Sequence, residues 1–212
     1  MDIERRTAAN TAIVLIDYVT GFANLIGSQS ITQNVAGGRA LAQTALTFGV
    51  PLIVTMGPES DPRGTLYPEI AQVIGDHPVV HRGLSFDAFE DPGFERAVAD
   101  TGVRHLLIAG LMTDGCVMQT SLSALRRDYE VSLVVDASAT ESLAAQSAAI
   151  DRLGRYGVIP TTWLSFAAEL QRSYEFTDTL AGFRAIQQNM PGYGMFNQAL
   201  RSASAPAPSS AR

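Results

Sequence analysis

The feature that most constrains this chain is a set of short, predominantly apolar runs, each separated from the next by a stretch with helical signals. Ala12-Ile13-Val14-Leu15-Ile16 is the clearest, and Pro51 to Thr55, Pro78 to His81, His105 to Ala109, Val131 to Val135 and Val158 to Thr162 follow it. A strand that is apolar without alternation fits a sheet covered on both faces, which is the habit of parallel sheets. The intervening segments read as helices over about Ser30–Phe48, Tyr67–Ile74, Pro92–Thr101, Met118–Arg127, Ser142–Tyr156 and Phe166–Arg172. Gly49, Gly102 and Gly157 stand where helices stop, and Pro92 stands where one begins. Alternating strands and helices imply an α/β fold: a three-layer αβα, doubly wound, mostly parallel six-stranded sheet with right-handed crossovers.

The 212 residues fit one domain over residues 1–172, with an appended arm. Residues 173–200 read as that arm: Thr177 to Gln188 is helical, and Asn189 to Phe196 is loop-like yet apolar. Met190, Tyr193, Met195 and Phe196 cluster there. Such a cluster packs either on a neighbouring subunit, making a homo-oligomer, or on its own domain. The Ser/Ala/Pro stretch over residues 201–212 reads as a disordered tail.

A net charge of −6 and the lack of an arginine-rich run argue against a nucleic-acid surface. No apolar run approaches a membrane span, and Met1 to Asn10 lacks the apolar core of a signal peptide, so the expected location is the cytoplasm. A single cysteine excludes an internal disulfide. All 15 basic residues are arginine, which removes any mechanism based on a lysine amine. His77, His81 and His105 lack metal-ligand spacing, so neither a metal nor another cofactor is expected.

The one cysteine, Cys116, falls where the strand ending at Ala109 hands over to the helix beginning at Met118. Unpaired N–H groups and the helix dipole at such a position favour thiolate and depress a cysteine's pKa. The bland alternative is a buried cysteine acting as a small hydrophobe. Two more polar residues follow strands on the same expected sheet edge, Asp17 after the first and Arg82 after the third. Open α/β sheets gather ligands at that edge. There a carboxylate can take the thiol's proton, and a guanidinium can hold the charge as thiolate and oxyanion form. Taken singly, an Asp capping a loop and an Arg pairing with a surface acid are equally ordinary.

These residues carry a resemblance. Asp17 closing the first strand, a basic residue before Ser85-Phe86-Asp87-Ala88-Phe89, and Gly110-Leu111-Met112-Thr113-Asp114-Gly115-Cys116-Val117 together resemble the isochorismatase-like cysteine hydrolases. The superfamily includes nicotinamidases and carbamoylsarcosine amidase, and the similarity spans about Ala12 to Ser165. Asp136-Ala137-Ser138, Thr161-Thr162-Trp163 and the arm ending Met190-Pro191-Gly192-Tyr193 resemble an oligomeric bacterial subgroup that carries Arg in place of the triad Lys.

The resemblance implies Asp17 as general base, Cys116 as nucleophile and Arg82 at the position normally held by lysine. It also implies a cis peptide joining Leu111 to Met112, with the Met112 and Cys116 N–H groups directed at a substrate oxyanion. Phe22 matches a pocket position, and Leu84, Phe86 and Met112 are expected to complete the walls. Two departures stand out. Asp17-Tyr18-Val19 lacks the usual Asp-x-Gln, and Arg82 has too high a pKa to donate a proton, so it acts only through its charge. The expected activity is hydrolysis of a small amide-like C–N bond through an acyl-thioester, on a small-molecule substrate. The alternatives are a redox-active thiol protein and a non-catalytic small-ligand binder that keeps the fold.

Overall fold

The computed structural model describes residues 4–204. Six strands form one parallel sheet: β1 (Thr11–Ile16), β2 (Leu52–Met56), β3 (Val79–His81), β4 (His105–Gly110), β5 (Glu130–Val134) and β6 (Ile159–Thr161). Their order is β3-β2-β1-β4-β5-β6. The helices are α1 (Ile31–Phe48), α2 (Pro68–Ile74), α3 (Pro92–Ala99), α4 (Met118–Arg126), α5 (Leu143–Arg155), α6 (Trp163–Gln171), α7 (Thr177–Gln187) and α8 (Tyr193–Ser204).

Uniformly apolar strands have a direct structural counterpart. β1 is buried at all six positions and lies between β2 and β4, with Ile13 opposite Leu52 on one side and Leu107 on the other. Successive side chains of a strand point to opposite faces. Ile13 and Leu15 therefore enter one core with Leu41, Ile70, Phe166, Phe183 and Ile186, from α1, α2, α6 and α7. Ala12, Val14 and Ile16 enter the other with Phe94, Val98, Leu122, Ala149 and Leu153, from α3, α4 and α5. Each fully buried Leu or Ile contributes about 1.5–3 kcal/mol. With no polar position after Thr11 to break the pattern, β1 is fixed at the centre of three layers.

Local signals set the helix ends. Ser30 and Gln33 form a capping box at the start of α1, and Gly49 ends it in the left-handed region at φ 67°. Asp91 accepts from the Gly93 and Phe94 N–H groups ahead of α3, with Pro92 in its first turn. Ser142 and Thr162 cap α5 and α6.

The C-terminal arm differs from its sequence reading. The loop expected up to Phe196 gives way to helix α8 from Tyr193, because Tyr193, Phe196 and Leu200 fall at helical spacing after Pro191 and Gly192 have broken α7 from α8. Tyr193 is buried, Met190 packs against the α1-side core, and Met195 and Phe196 stand 74% and 54% exposed. α8 continues through Ser204, where a tail was expected from residue 201; residues 205–212 lie outside the described residues. Among the described residues, no helix is long and apolar enough to cross a membrane.

Candidate active site

The sheet order reverses direction at β1: the chain runs outward through β2 and β3 on one side, then through β4, β5 and β6 on the other. A crevice forms where neighbouring strands send their connections to opposite faces, here at the carboxyl ends of β1 and β4. Asp17 directly follows β1. It is held in the left-handed region at φ 53°, with its N–H bonded to the Thr55 carbonyl (2.9 Å) and its own carbonyl accepting from the Val19 N–H (2.7 Å). A non-glycine residue held there by surrounding bonds is a strained conformation of the kind that gathers at functional sites.

Arg82 follows β3, and its N–H bonds to the Met56 carbonyl (3.0 Å). Its Nη2 donates to Asp17 Oδ2 and its Nη1 to the Ser85 carbonyl. Both side chains of this ion pair are almost wholly excluded from solvent, at 3% and 1% exposed. Asp17 Oδ1 and Arg82 Nε have no hydrogen-bond partner among the described residues. A buried charge pair with unspent lone pairs and donors is a poor way to hold a fold together, and a reasonable way to hold a reacting group.

The third residue arrives from β4. Leu111 donates its N–H to the Ile16 carbonyl (2.9 Å) and Thr113 donates to the Ala139 carbonyl (2.9 Å), fixing the segment against the end of β1. The Leu111–Met112 peptide is cis. Gly110 sits at φ 148°, where a Cβ would meet the Ile16 carbonyl oxygen at 2.0 Å, so only glycine permits this approach. Thr113–Val117 forms a π-helical turn, with Gly115 at φ −107° and ψ −111°, before α4 begins. Cys116 thus sits in a kinked turn rather than at a plain helix start, 4% exposed.

That burial overturns the expected low thiol pKa. Loss of solvation pushes the Cys116 thiol up to about 12, and the charge of Asp17 and its hydrogen bond to the thiol act in the same direction. Arg82 opposes them but does not prevail. Burial also raises the Asp17 carboxyl above its ordinary range, with Arg82 and the Cys116 thiol pulling it back. The resting arrangement is therefore a neutral thiol beside an ion-paired carboxylate.

The expected pocket walls separate into two groups. Phe22 and Met112 are half-buried and pack against the α1-side core. Leu84 and Phe86 are 81% and 65% exposed, so within one chain they do not wall a pocket; the loop after β3 turns Arg82 inward and those two side chains outward. A cavity of about 960 Å³ lies elsewhere, between Thr32, Arg39, Trp163, Met190 and Pro191. The three histidines are occupied. His77 bonds to the Leu52 carbonyl, His81 to the Gly57 carbonyl, and His105 lies between the Thr11 and Ser132 hydroxyls.

The sequence reading missed Arg63, within a Gly/Pro/Asp-rich loop that offers no periodicity. Its guanidinium lies 5.2 Å from the centre of the Phe22 ring, and its charge acts on both Asp17 and Cys116. The only local signal was Asp61 two residues before it, whose Oδ1 accepts from the Arg63 N–H (2.9 Å).

Residues 11–165 match the family model of the isochorismatase domain. The chain belongs to the isochorismatase family. The probable hydrolase YcaC of Escherichia coli K12 is 33% identical over 185 residues, 87% of this chain and 88% of that protein. Isochorismatase domain-containing protein 1 of Salmo salar is 30% identical over 169 residues, 77% of this chain and 57% of the relative. Among solved structures, YcaC from Pseudomonas aeruginosa, with hexane-2,5-diol and covalent acrylamide, superposes with a TM-score of 0.87 at 31% identity. That alignment covers 94% of this chain and 98% of the other. The E. coli YcaC structure, an octameric hydrolase of unknown specificity, gives 0.88 at 29% identity, covering 96% and 100%. The Bacillus subtilis nicotinamidase shares the fold, with a TM-score of 0.64 at 18% identity over 72% of this chain and 99% of the other.

Proposed function

We propose that this isochorismatase-family hydrolase cleaves the C–N bond of a small amide through a Cys116 acyl-thioester. The observation that carries the reading is the convergence of Asp17, Arg82 and Cys116, each from a different strand end, in one buried cluster at the β1/β4 crevice.

The raised thiol pKa determines how the chemistry proceeds. A free thiolate is too scarce to attack on its own, so the proton passes from Sγ to Asp17 as sulfur bonds to the carbonyl carbon. The carbonyl π electrons move onto oxygen, and the Met112 and Cys116 N–H groups receive the oxyanion. Among the described residues the Met112 N–H has no acceptor in the resting state, so it is available for this role. Asp17 then returns its proton to the departing nitrogen, the C–N bond breaks, and an acyl-thioester and an amine or ammonia result. Water, deprotonated by Asp17, attacks the thioester and releases the acid and the Cys116 thiol. Arg82 keeps its proton throughout and stabilises whichever of its neighbours carries the negative charge.

The covalent acrylamide on YcaC from P. aeruginosa supports a reactive nucleophile in that relative. A redox role is less well supported, because the high thiol pKa leaves little thiolate for peroxide to oxidise. A homo-oligomer is supported by the octameric E. coli relative and by the exposed Met195 and Phe196 on α8. The test is release of ammonia or amine from a panel of small amides by wild type, Cys116→Ala and Asp17→Asn. The proposal expects turnover to disappear in both variants, and turnover that survives Cys116→Ala refutes it.

A further inference from the structure

Arg63 is placed by backbone pairing. Residues 63–67 run antiparallel to residues 18–21: the Tyr67 N–H bonds to the Tyr18 carbonyl (2.8 Å), the Thr20 N–H to the Thr65 carbonyl (2.9 Å), and the Gly21 N–H to the Arg63 carbonyl (2.6 Å). The loop is thus tied to the segment that leaves Asp17. Its position on the sheet is marked by Gly57, directly after β2. A Cβ there would meet Asp61 Oδ2 at 2.1 Å and Arg63 Nη2 at 2.9 Å, so the Asp61–Arg63 pair rests on the bare backbone at the carboxyl end of β2. In the sheet order β2 lies between β3, which is followed by Arg82, and β1, which is followed by Asp17. The pair therefore stands beside the buried ion pair on the same edge of the sheet.

The guanidinium is fixed and only half-spent. Asp61 takes Nε, at 2.9 Å from both of its oxygens, and also Nη2. Nη1 has no hydrogen-bond partner among the described residues, and the side chain keeps 35% of its surface open. Its Cζ lies over the Phe22 ring, 5.2 Å from the ring centre. A guanidinium held along one edge, with its cationic centre over an aromatic ring, presents its remaining edge in a defined direction, the arrangement suited to a carboxylate.

We propose that Arg63 is a specificity residue of the Cys116 site, its free Nη1 edge binding an anionic group of the substrate, so that the substrate class is a small amide bearing a carboxylate. This rests on the hydrolase reading above. It deepens that reading by assigning the loop between β2 and α2 as the element that selects substrate. The influence of Arg63 on both Asp17 and Cys116 is consistent with a cation that reaches the reacting groups.

The experiment compares alkylation of native Cys116 by iodoacetate, an anion, and iodoacetamide, its neutral amide. Each second-order rate constant is measured by intact mass at about pH 9, where a thiol at about 12 is ionised to about one part in a thousand, enough to follow with excess reagent. The ratio of the two rates cancels differences in thiolate content. Arg63→Gln is expected to lower the iodoacetate-to-iodoacetamide ratio about fivefold, the scale of a partly exposed ion pair. Asp61→Asn, which frees the second edge, is expected to raise it. Gly57→Ala keeps every charge but displaces the pair, and is expected to lower it. The same ratio in wild type and Arg63→Gln overturns the assignment of Arg63 and leaves the hydrolase reading standing. A Cys116 that resists both reagents until the protein is unfolded overturns both, since the site then offers no accessible nucleophile.

Discussion

Replacing Asp17 by Asn separates two quantities that usually move together, the amount of thiolate and the rate of hydrolysis. In the wild type the Cys116 thiol stands at about 12, against 9.0 for an ordinary cysteine on the same scale. That difference is worth about 4 kcal/mol against baring the thiolate in the resting site. At pH 8 the thiolate fraction is then about one in ten thousand, and alkylation by iodoacetamide is about a thousandfold slower than for an ordinary thiol. Asp17 contributes to this barrier twice, through its charge and through its hydrogen bond. Asn removes the charge, leaving burial to raise the pKa and Arg82 to lower it. A single neighbouring charge moves a pKa by about one to three units, so Asp17→Asn is expected to alkylate about ten- to a thousandfold faster at pH 8. In the proposed mechanism the same variant lacks the general base, so it is expected to lose amide hydrolysis. The assay is the rate of iodoacetamide labelling against pH for both proteins, fitted as the titration of a coupled pair in the wild type. A wild-type plateau below pH 8, or a variant that labels no faster than wild type, would refute the account of the resting state.

Three further outcomes follow from buried groups elsewhere in the structure. Arg82→Met leaves the Asp17 carboxylate buried without its cation and is expected to cost about 3–5 kcal/mol in urea unfolding, most of it recovered in the Asp17→Asn/Arg82→Met double variant; equal losses in both would refute the pairing argument. Burial, with a smaller effect from Arg6, lowers the His105 pKa from 6.5 to about 3, so between those values the unfolded chain takes a proton that the folded chain does not. Stability from this source is complete above pH 6.5 and falls as the pH drops, by about 3 kcal/mol at pH 4.5; the pH–stability curve of His105→Gln is expected to be flatter by that amount. Gly110→Ala would place a Cβ 2.0 Å from the Ile16 carbonyl oxygen, which accepts from Leu111, and is expected to lower stability by more than about 3 kcal/mol and to stop Cys116 labelling by displacing its turn.

What the sequence revealed and what it withheld divide along a physical line. β1 and β4 were legible because full burial on two faces demands apolar residues along almost the whole strand, and that demand is local. The placement of Asp17, Arg82 and Cys116 on one edge followed from the strand reading, since residues that follow parallel strands emerge at the carboxyl edge of the sheet. The thiol's protonation state was not legible. It depends on how completely the turn after β4 closes over Cys116, and a π-helical turn with Gly115 off the helical path is not encoded in any spacing rule. Arg63 was hidden for a related reason. Its role comes from backbone pairing with residues 18–21, some forty positions away, and from the missing side chain of Gly57, neither of which leaves a periodic trace. Leu84 and Phe86 show the opposite failure: apolar residues near a motif were read as pocket walls, yet they face outward while Arg82 beside them turns inward to the Asp17 carboxylate. The chemistry of the site is thus announced by strand ends, while its selectivity resides in a loop whose placement is a tertiary event. The Asp61–Arg63 pair is therefore the place to alter substrate preference without disturbing the reacting groups.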